Sequence, residues 1–308
     1  MPSIAYFGPQ GTFSEQAARA HAGDEDALVP MRTVPLALAA VRAGEADIAC
    51  VPVENSVEGA VSATMDALAV DEPLVAVAEV VLPVRFSVLV RPGLAAEEVR
   101  TVASHPHALA QVQGWLGEHL PAASPTAATS TAAAAVGVLE GEWDAAVTAP
   151  VAASHYALSV LATDVADVDG AMTRFLLLRR PGELPAPTGS DRTSIVVVAA
   201  AERTGVLAEM LTELALRGIN LTRIESRPHQ GQLGRYRFYL DLDGHVVEQR
   251  VGDALAALHR RCQELRFLGS YPKAEPSLAG AAVLTGNTDH DYAAAGEWLA
   301  AVRGGSTP

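Results

Sequence analysis

Short apolar strands alternate with alanine-rich helices over the first 180 residues of this 308-residue chain. The predicted strands are 3–8, 47–55, 74–90, 101–106, 144–150 and 173–180, with 74–90 expected to form one or two strands broken near Pro83. The predicted helices are 13–22, 34–44, 58–69, 107–120 and 130–141. Such alternation predicts an α/β fold of parallel or mixed sheets with helices on both faces.

The pattern changes after residues 182–193, which are rich in proline and glycine and are predicted to be a linker. Beyond the linker, strands and helices follow in the order βαββαβ, which is typical of a small ferredoxin-like sandwich. They are predicted at 194–200, 204–218, 219–228, 235–244, 247–262 and 266–272. We therefore predict one domain over 1–181, a second over 194–272, and a tail over 273–308 whose role is unknown.

The composition excludes several classes of partner. The net charge of −14 and the pI near 5.0 argue against nucleic acid or an anionic membrane as the main partner. No run reaches the roughly 18 apolar residues of a membrane helix, and the first residues lack the pattern of a signal peptide. Cys50 and Cys262 lie far apart in sequence, which favours two thiols in a reducing cytoplasm.

The motifs of the common cofactors and metals are missing from the sequence. Lys273 is the single lysine and follows the last predicted strand, so a Schiff-base or phosphate-loop lysine is not expected. The chain has no G-x-G-x-x-G, C-x-x-C or H-E-x-x-H motif. The acidic and histidine side chains of 288–292 are interpreted as part of a solvated tail. We predict that the protein works without a cofactor or a metal ion.

Three polar segments follow predicted strands and precede predicted helices, at 8–14, 52–59 and 104–111. Ligands of α/β sheets bind at the carboxyl ends of the strands, and helix N-termini favour carboxylates. Three such segments predict a site for a small anion in a crevice between two lobes. The candidate residues are Thr12, Ser14, Glu54, Asn55, Ser56, Gly59, Ser104 and His105. Helix capping also favours Ser, Thr and Asn at these positions, and both roles can coexist.

Glu54 and His105 are the less obvious members of this set. A carboxylate at Glu54 would repel an anion, so we expect it to orient a donor or to relay a proton. His105 could donate to a substrate, although a histidine before proline is more often a packed or capped loop residue.

The segment Thr173, Arg174 and Phe175 stands at the entrance of a fully apolar strand. Neighbouring side chains on a strand point to opposite faces, so Thr173 and Phe175 should share one face and Arg174 should lie on the other. The guanidinium of Arg174 could hold a carboxylate or could form a structural ion pair. Phe175 could contact a substrate or belong to the core.

These motifs occur together in one known family. The segments GPQGTFSEQAA, PVENSVEG, SHPHALAQ and MTRFLLL follow one another in the order seen in prephenate dehydratases, and the second domain, with LTRIESRP, resembles an ACT domain. The resemblance covers about residues 3–272 and implies decarboxylative dehydration of prephenate to phenylpyruvate in phenylalanine biosynthesis. It also implies a two-lobed catalytic domain similar to type 2 periplasmic binding proteins. Because the first strand begins at Ser3, we expect a monofunctional chain.

The resemblance further implies roles for individual residues. Thr173 matches the family's threonine that aids departure of the substrate hydroxyl, and Arg174 and Phe175 belong to the same motif. The ACT domain is implied to bind L-phenylalanine for feedback control, and the family forms dimers or tetramers. The matching residues are Gly205, Val206, Leu207, Asn220, Leu221, Glu225 and Ser226. Val206 replaces the alanine usual in the family, so phenylalanine binding could be weakened or reshaped.

Two alternatives remain open from the sequence. The substrate could be arogenate, which carries an ammonium group where prephenate has a ketone. The protein could instead be a non-catalytic sensor that combines a solute-binding pair of lobes with an amino-acid-binding domain. The presence of polar motifs at three separate strand ends weighs against a sensor, which would need fewer of them.

Overall fold

The computed structural model describes residues 1–201, 203–229, 234–274 and 283–306. The strands are β1 (Ser3–Phe7), β2 (Ala27–Met31), β3 (Ile48–Asn55), β4 (Gly59–Ala60), β5 (Val75–Pro83), β6 (Ser87–Val90), β7 (Thr101–Ser104), β8 (Ser124–Ala127), β9 (Ala145–Thr148), β10 (Ser159–Thr163), β11 (Met172–Arg179), β12 (Asp191–Ala199), β13 (Leu221–Pro228), β14 (Tyr236–Asp243) and β15 (Cys262–Pro272). The helices are α1 (Phe13–His21), α2 (Val34–Ala43), α3 (Ser62–Val70), α4 (Pro106–Ala110), α5 (Gln113–His119), α6 (Thr131–Glu140), α7 (Val206–Ala215), α8 (Gln249–Arg261) and α9 (Asp289–Arg303). None of the helices in these described ranges is both long and apolar enough to cross a lipid bilayer.

The chain divides into two compact units, which are described separately. The first unit comprises residues 1–67 and 80–180, and the second comprises 68–79 and 181–308. The first unit contains two lobes, each built on one mixed sheet. The strand order is β2-β1-β3-β11-β5 in the first lobe, with β4 paired to β3 and with only residues 80–83 of β5 belonging to this unit, and it is β10-β6-β9-β7-β8 in the second lobe. The mixed sheets confirm the α/β fold that the alternation predicts, and the two lobes are those that the resemblance implies.

The chain passes between the lobes twice within the first unit. It leaves the first sheet at Pro83 and enters β6 at Ser87, which confirms the predicted break near Pro83. It returns just before β11, and the backbone N–H of Val84 donates to the carbonyl of Ala171 across the two connections at 2.7 Å. The two crossing segments are therefore tied to each other where the lobes meet.

The second unit contains the predicted βαββαβ sandwich. Its sheet has the order β13-β14-β12-β15, and α7 and α8 pack on the apolar face formed in part by Ile195, Phe238 and Leu240. Strand β12 begins at Asp191 and thus includes the last three residues of the segment predicted as linker. The reason is local: the buried Asp191 carboxylate accepts the backbone N–H groups of Thr188 and Gly189, which ends the linker early.

Three other sequence predictions were wrong in detail. The helix predicted over 58–69 begins only at Ser62, because Gly59 and Ala60 pair with β3 as strand β4. Strands β2, β8 and β10 were not predicted, and all three lie at sheet edges, where half-exposed residues give no clear apolar period. Both β2 and β8 contain a proline, which edge strands tolerate. The helix predicted over 107–120 is two helices, α4 and α5, because the chain turns at Gln111 and Val112.

Candidate active site

A cavity of about 500 Å³ lies between the two lobes of the first unit. Both sheets and the loops at their strand ends line it. The lining includes seven of the residues predicted from the sequence, namely Thr12, Ser14, Asn55, Gly59, His105, Thr173 and Phe175. The same cavity therefore collects side chains from all three predicted polar segments and from the start of β11.

Thr173 is held at the cavity by its partner on the neighbouring strand. Strands β3 and β11 are antiparallel, and their register places Thr173 opposite Asn55. The Asn55 side-chain amide donates to the Thr173 hydroxyl oxygen, with 2.8 Å between Nδ2 and Oγ1. Thr173 is 9% exposed, so this contact is sheltered from bulk water. Since the hydroxyl oxygen accepts from Asn55, the hydroxyl proton must point elsewhere.

The orientation of the Asn55 amide is fixed by the loop that follows β3. Its Oδ1 accepts the backbone N–H groups of Val57 at 2.8 Å and Glu58 at 3.0 Å. An oxygen that faces two backbone donors leaves the NH₂ group to face Thr173, which settles the choice between the two amide orientations. Gly59 closes this loop with φ of +81°, a backbone conformation that favours glycine.

Arg174 and Glu54 form the next pair of the same register and lie on the opposite face. Arg174 Nη2 is 3.3 Å from Glu54 Oε2, and the arginine side chain is 9% exposed. Both residues lie outside the described lining of the cavity. Arg174 is thus the ion-pair partner of Glu54 on the face of the strand that does not line the cavity. Of the two roles considered for it, carboxylate binding and a structural ion pair, the structure shows the second.

Ser56 and Ser104 also lie outside that lining. The Ser56 hydroxyl accepts the backbone N–H of Met172 at 2.9 Å, which ties the loop after β3 to the start of β11. The buried Ser104 hydroxyl donates to the carbonyl of Val147 at 2.6 Å, between two neighbouring strands. Both serines hold the backbone around the cavity, and a direct role toward substrate stays a prediction.

Three helices of at least nine residues begin at the cavity: α1, α3 and α6. Thr12 caps α1 by accepting the N–H of Glu15 at 3.3 Å, and its own hydroxyl donates to the carbonyl of Phe7. Ser130 caps α6 by accepting the N–H of Ala133 at 2.9 Å. The lining within the described residues contains no lysine or arginine. Helix N-termini are therefore a main source of positive potential for an anion here.

His105 and His107 add the imidazole groups of the site. His105 Nδ1 accepts the backbone N–H of His107 at 3.3 Å, which places the proton of the neutral ring on Nε2. Burial lowers the pKa of His105, and the nearby His107 lowers it further, although Glu58 acts in the opposite direction. The His107 ring lies 3.8 Å from the Glu58 carboxylate at the edge of the cavity.

Sequence reasoning did not identify several lining residues. Glu58, His107 and the Thr129–Thr131 segment belong to the cavity, as do the aromatic rings of Phe13 and Phe86, which pack edge to face with centroids 5.6 Å apart. A signal for the Thr129–Thr131 segment was present, because hydroxyl residues there also precede a helix. The missing information was β8, the edge strand that brings this segment to a strand end.

In the second unit, α7 begins at Val206 with Gly205 as its N-cap residue. Val206 and Leu207 are half-buried and pack against the core of the sandwich, together with Met210 on the same helix. The apolar face predicted for this helix is confirmed by that packing.

The other residues predicted for L-phenylalanine binding lie at or on strand β13. The Asn220 amide donates to Asp243 Oδ2 at 2.9 Å, just before the strand begins. Leu221, Glu225 and Ser226 lie on β13, which is an edge strand of the sheet. Ser226 is exposed and Glu225 is half-buried, so the strand presents alternate residues to solvent.

Two α/β lobes around a cleft that is lined by helix N-termini, followed by a βαββαβ sandwich, define a two-lobed α/β protein with an appended small domain. Comparison with known families agrees with this class. A model described as prephenate dehydratase matches residues 4–183, and an ACT domain model matches residues 193–260. The chain belongs to the prephenate dehydratase family.

Individual relatives support this membership over nearly the whole chain. A prephenate dehydratase from Amycolatopsis methanolica is 62% identical over 306 residues, which cover 99% of each protein. One from Mycobacterium marinum is 50% identical over 88% of this chain and 89% of that protein. The crystal structure of a prephenate dehydratase from Arthrobacter aurescens, in complex with L-phenylalanine, has a TM-score of 0.91 and 43% identity. That match covers 97% of this chain and 99% of the other.

Proposed function

We propose that this chain converts prephenate to phenylpyruvate, a step of L-phenylalanine biosynthesis. The bond between the ring and its carboxylate breaks, and CO₂ leaves while the electron pair enters the ring. The bond between the ring and its hydroxyl breaks on the other side, and the hydroxyl takes a proton and leaves as water. Aromatisation drives the reaction, so the protein must hold two carboxylates and help one hydroxyl to leave.

The observation that carries this proposal is the hydrogen bond from Asn55 to Thr173. A threonine hydroxyl is a weak acid, so its use as a donor depends on where its proton points. With Asn55 donating to its oxygen at 2.8 Å, Thr173 acts toward the cavity as a hydrogen-bond donor. A donor aimed at the departing hydroxyl stabilises the charge that develops on that oxygen in the transition state.

The rest of the cavity suits a dianion that carries a ring. The N-termini of α1, α3 and α6 attract carboxylates without a lysine or arginine in the described lining. Phe13, Phe86 and Phe175 supply flat apolar surface for the ring. An apolar surrounding also favours loss of the ring carboxylate as neutral CO₂. His105, with its proton on Nε2, is a further donor for an anionic group.

We assign regulation by L-phenylalanine to the second unit. The Arthrobacter relative was solved with L-phenylalanine, and an ACT domain model matches this part of the chain. The residues assigned to this site are Gly205, Val206, Leu207, Asn220, Leu221, Glu225 and Ser226. The position of β13 at an edge of its sheet supports assembly into a homodimer or homotetramer, because the backbone N–H and C=O groups of an edge strand can pair with a second copy. The free thiols of Cys50 and Cys262 support a cytoplasmic location.

The test is the formation of phenylpyruvate from prephenate by the purified protein at neutral pH. We expect turnover that L-phenylalanine lowers and that Thr173→Ala strongly reduces while the fold is retained. Arogenate under the same conditions is the necessary comparison, since turnover of arogenate alone would replace the proposed substrate. Binding of prephenate by the folded protein without any product would instead favour the non-catalytic sensor.

A further inference from the structure

Glu15 is a buried carboxylate to which the proposed chemistry gives no role. It lies in the first turn of α1, and its side chain is 1% exposed. One oxygen, Oε2, accepts the backbone N–H of Gly11 at 2.5 Å, and the other, Oε1, accepts Arg19 Nε at 2.7 Å. These partners all belong to the first lobe, and Gly11 is in the loop that carries Thr12 and Ser14 to the cavity.

A second group of contacts reaches the same loop from the second lobe. His155 and Tyr156 follow the short 3₁₀ helix Pro150–Ser154, which comes after β9 of that lobe. His155 Nε2 lies 2.8 Å from Glu15 Oε1 as a close approach rather than an aligned hydrogen bond. The Tyr156 hydroxyl donates to the carbonyl of Gln10 at 2.7 Å. The loop is therefore held from both sides of the cleft.

The packing around Gly11 shows how closely the two lobes meet here. Gly11 has φ of +87°, and a Cβ atom at this position would lie 2.9 Å from the Tyr156 ring and 3.3 Å from the Cα of Ala152. A larger residue would have to move the tyrosine or the backbone of the second lobe. The Glu15 carboxylate also acts on its surroundings: burial and this charge raise the pKa of both Tyr6 and Tyr156.

We infer that Glu15, His155 and Tyr156 form a joint between the lobes that positions the Gly11–Ser14 loop for substrate binding. The inference rests on the proposed function, because the loop is given a role toward the carboxylates of prephenate. The joint touches the loop and lies behind the cavity, so its members are positioning residues. Such residues affect substrate binding in the ground state and the transition state alike, which changes KM more than kcat.

The experiment compares Tyr156→Phe and His155→Gln with Arg19→Gln as the matched control. Tyr156→Phe removes one hydroxyl and keeps the ring against Gly11. Arg19→Gln also removes a partner of Glu15, but one that lies on the same helix and is half exposed. We expect both joint variants to raise KM for prephenate about fivefold with kcat little changed, because each loses one hydrogen bond or close polar contact at the joint. The control should stay within about twofold, because this half-exposed partner lies on the same helix as Glu15 and not on the second lobe.

Hydrogen–deuterium exchange of the backbone amides of residues 8–15 measures, without any substrate, how firmly the joint holds the loop. Exchange should be faster in Tyr156→Phe and His155→Gln than in the wild type, and unchanged in Arg19→Gln. An unaltered KM and unaltered exchange in the joint variants would overturn the inference, as would equal changes in all three variants. A wild type that does not turn over prephenate would overturn the proposed function alone, since exchange still reports whether the joint holds the loop.

Discussion

Strands β11 and β13 carry the motifs to which we assign catalysis and regulation, and their structural settings differ. Strand β11 is a central strand of its sheet, and the six residues from Thr173 to Leu178 are all buried. Strand β13 is an edge strand on which half-buried and exposed residues alternate along its whole length. The first delivers Thr173 to the cavity between the lobes, whereas the second keeps Glu225 and Ser226 near an open surface.

The difference shows what each task requires. A group that assists bond cleavage needs a fixed position and a fixed hydrogen-bond partner, and a buried central strand provides both. A site that senses a metabolite must be open to ligand and able to respond to it, which an edge strand allows. Substitutions on β11 and its partner should therefore change the chemistry, and substitutions on β13 should change regulation.

The largest effect is expected for Thr173→Ala. Loss of the hydroxyl removes the donor toward the leaving group, and we expect kcat to fall by about 10²- to 10³-fold, the range for loss of one positioned hydrogen-bond donor. The measurement is steady-state phenylpyruvate formation, with circular dichroism to show that the fold is retained. Thr173→Ser is the control and should keep most of the activity, because it keeps the hydroxyl. An alanine variant as active as the serine variant would remove Thr173 from the mechanism.

Asn55→Asp should lower kcat nearly as much as Thr173→Ala, although it hardly changes the shape of the side chain. A carboxylate in place of the amide accepts the Thr173 proton, so the hydroxyl can no longer donate to substrate. Asn55→Ala removes the partner without reversing the hydrogen bond and should lower kcat less, by about tenfold. The order of the two variants in kcat checks the argument. Greater activity in Asn55→Asp than in Asn55→Ala would contradict the orientation assigned to Thr173.

Ser226→Ala tests the regulatory role that we assign to strand β13. We expect the L-phenylalanine concentration for half inhibition to rise about fivefold, the cost of one lost hydrogen bond, with a smaller change in kcat. Thr222→Val is the matched control, because Thr222 is also exposed on β13 but is not assigned to the ligand. Inhibition curves for both variants decide the matter. A shift in the control as large as that in Ser226→Ala would point to the strand as a whole rather than to a binding site.

The central strands of both units could be predicted from the sequence, as could the edge strand β5, but the edge strands β2, β8 and β10 of the first unit could not. Buried runs such as 175–178 are recognisable because every residue is apolar, while β2, β8 and β10 have neither a run nor a clear alternation. The residue types at the cavity were also predictable, since polar residues between a strand and a helix mark the carboxyl ends of a sheet.

The pairing of those residues was beyond reach of the sequence. The contact between Asn55 and Thr173 joins positions 118 residues apart and depends on the register of two antiparallel strands. A shift of that register by one residue would bring Glu54 to the cavity in place of Asn55. The contact of Glu15 with His155 depends in the same way on how the two lobes meet. The sequence near either residue does not indicate that arrangement.

The smallest expected effect is a pH dependence of substrate binding through His105. Burial and His107 lower the pKa of this imidazole, so it is neutral in the free protein at pH 7 despite the opposing charge of Glu58. A bound dianion favours the protonated ring, so binding takes up a proton above the lowered pKa. The affinity for prephenate should therefore rise a few-fold between pH 8 and about pH 6, toward the lowered pKa. His105→Gln should flatten this dependence of KM, whereas His119→Gln, on the exposed side of α5, should leave it unchanged. A profile that stays the same in His105→Gln would assign the pH dependence to another group, with His107 as the next variant to measure.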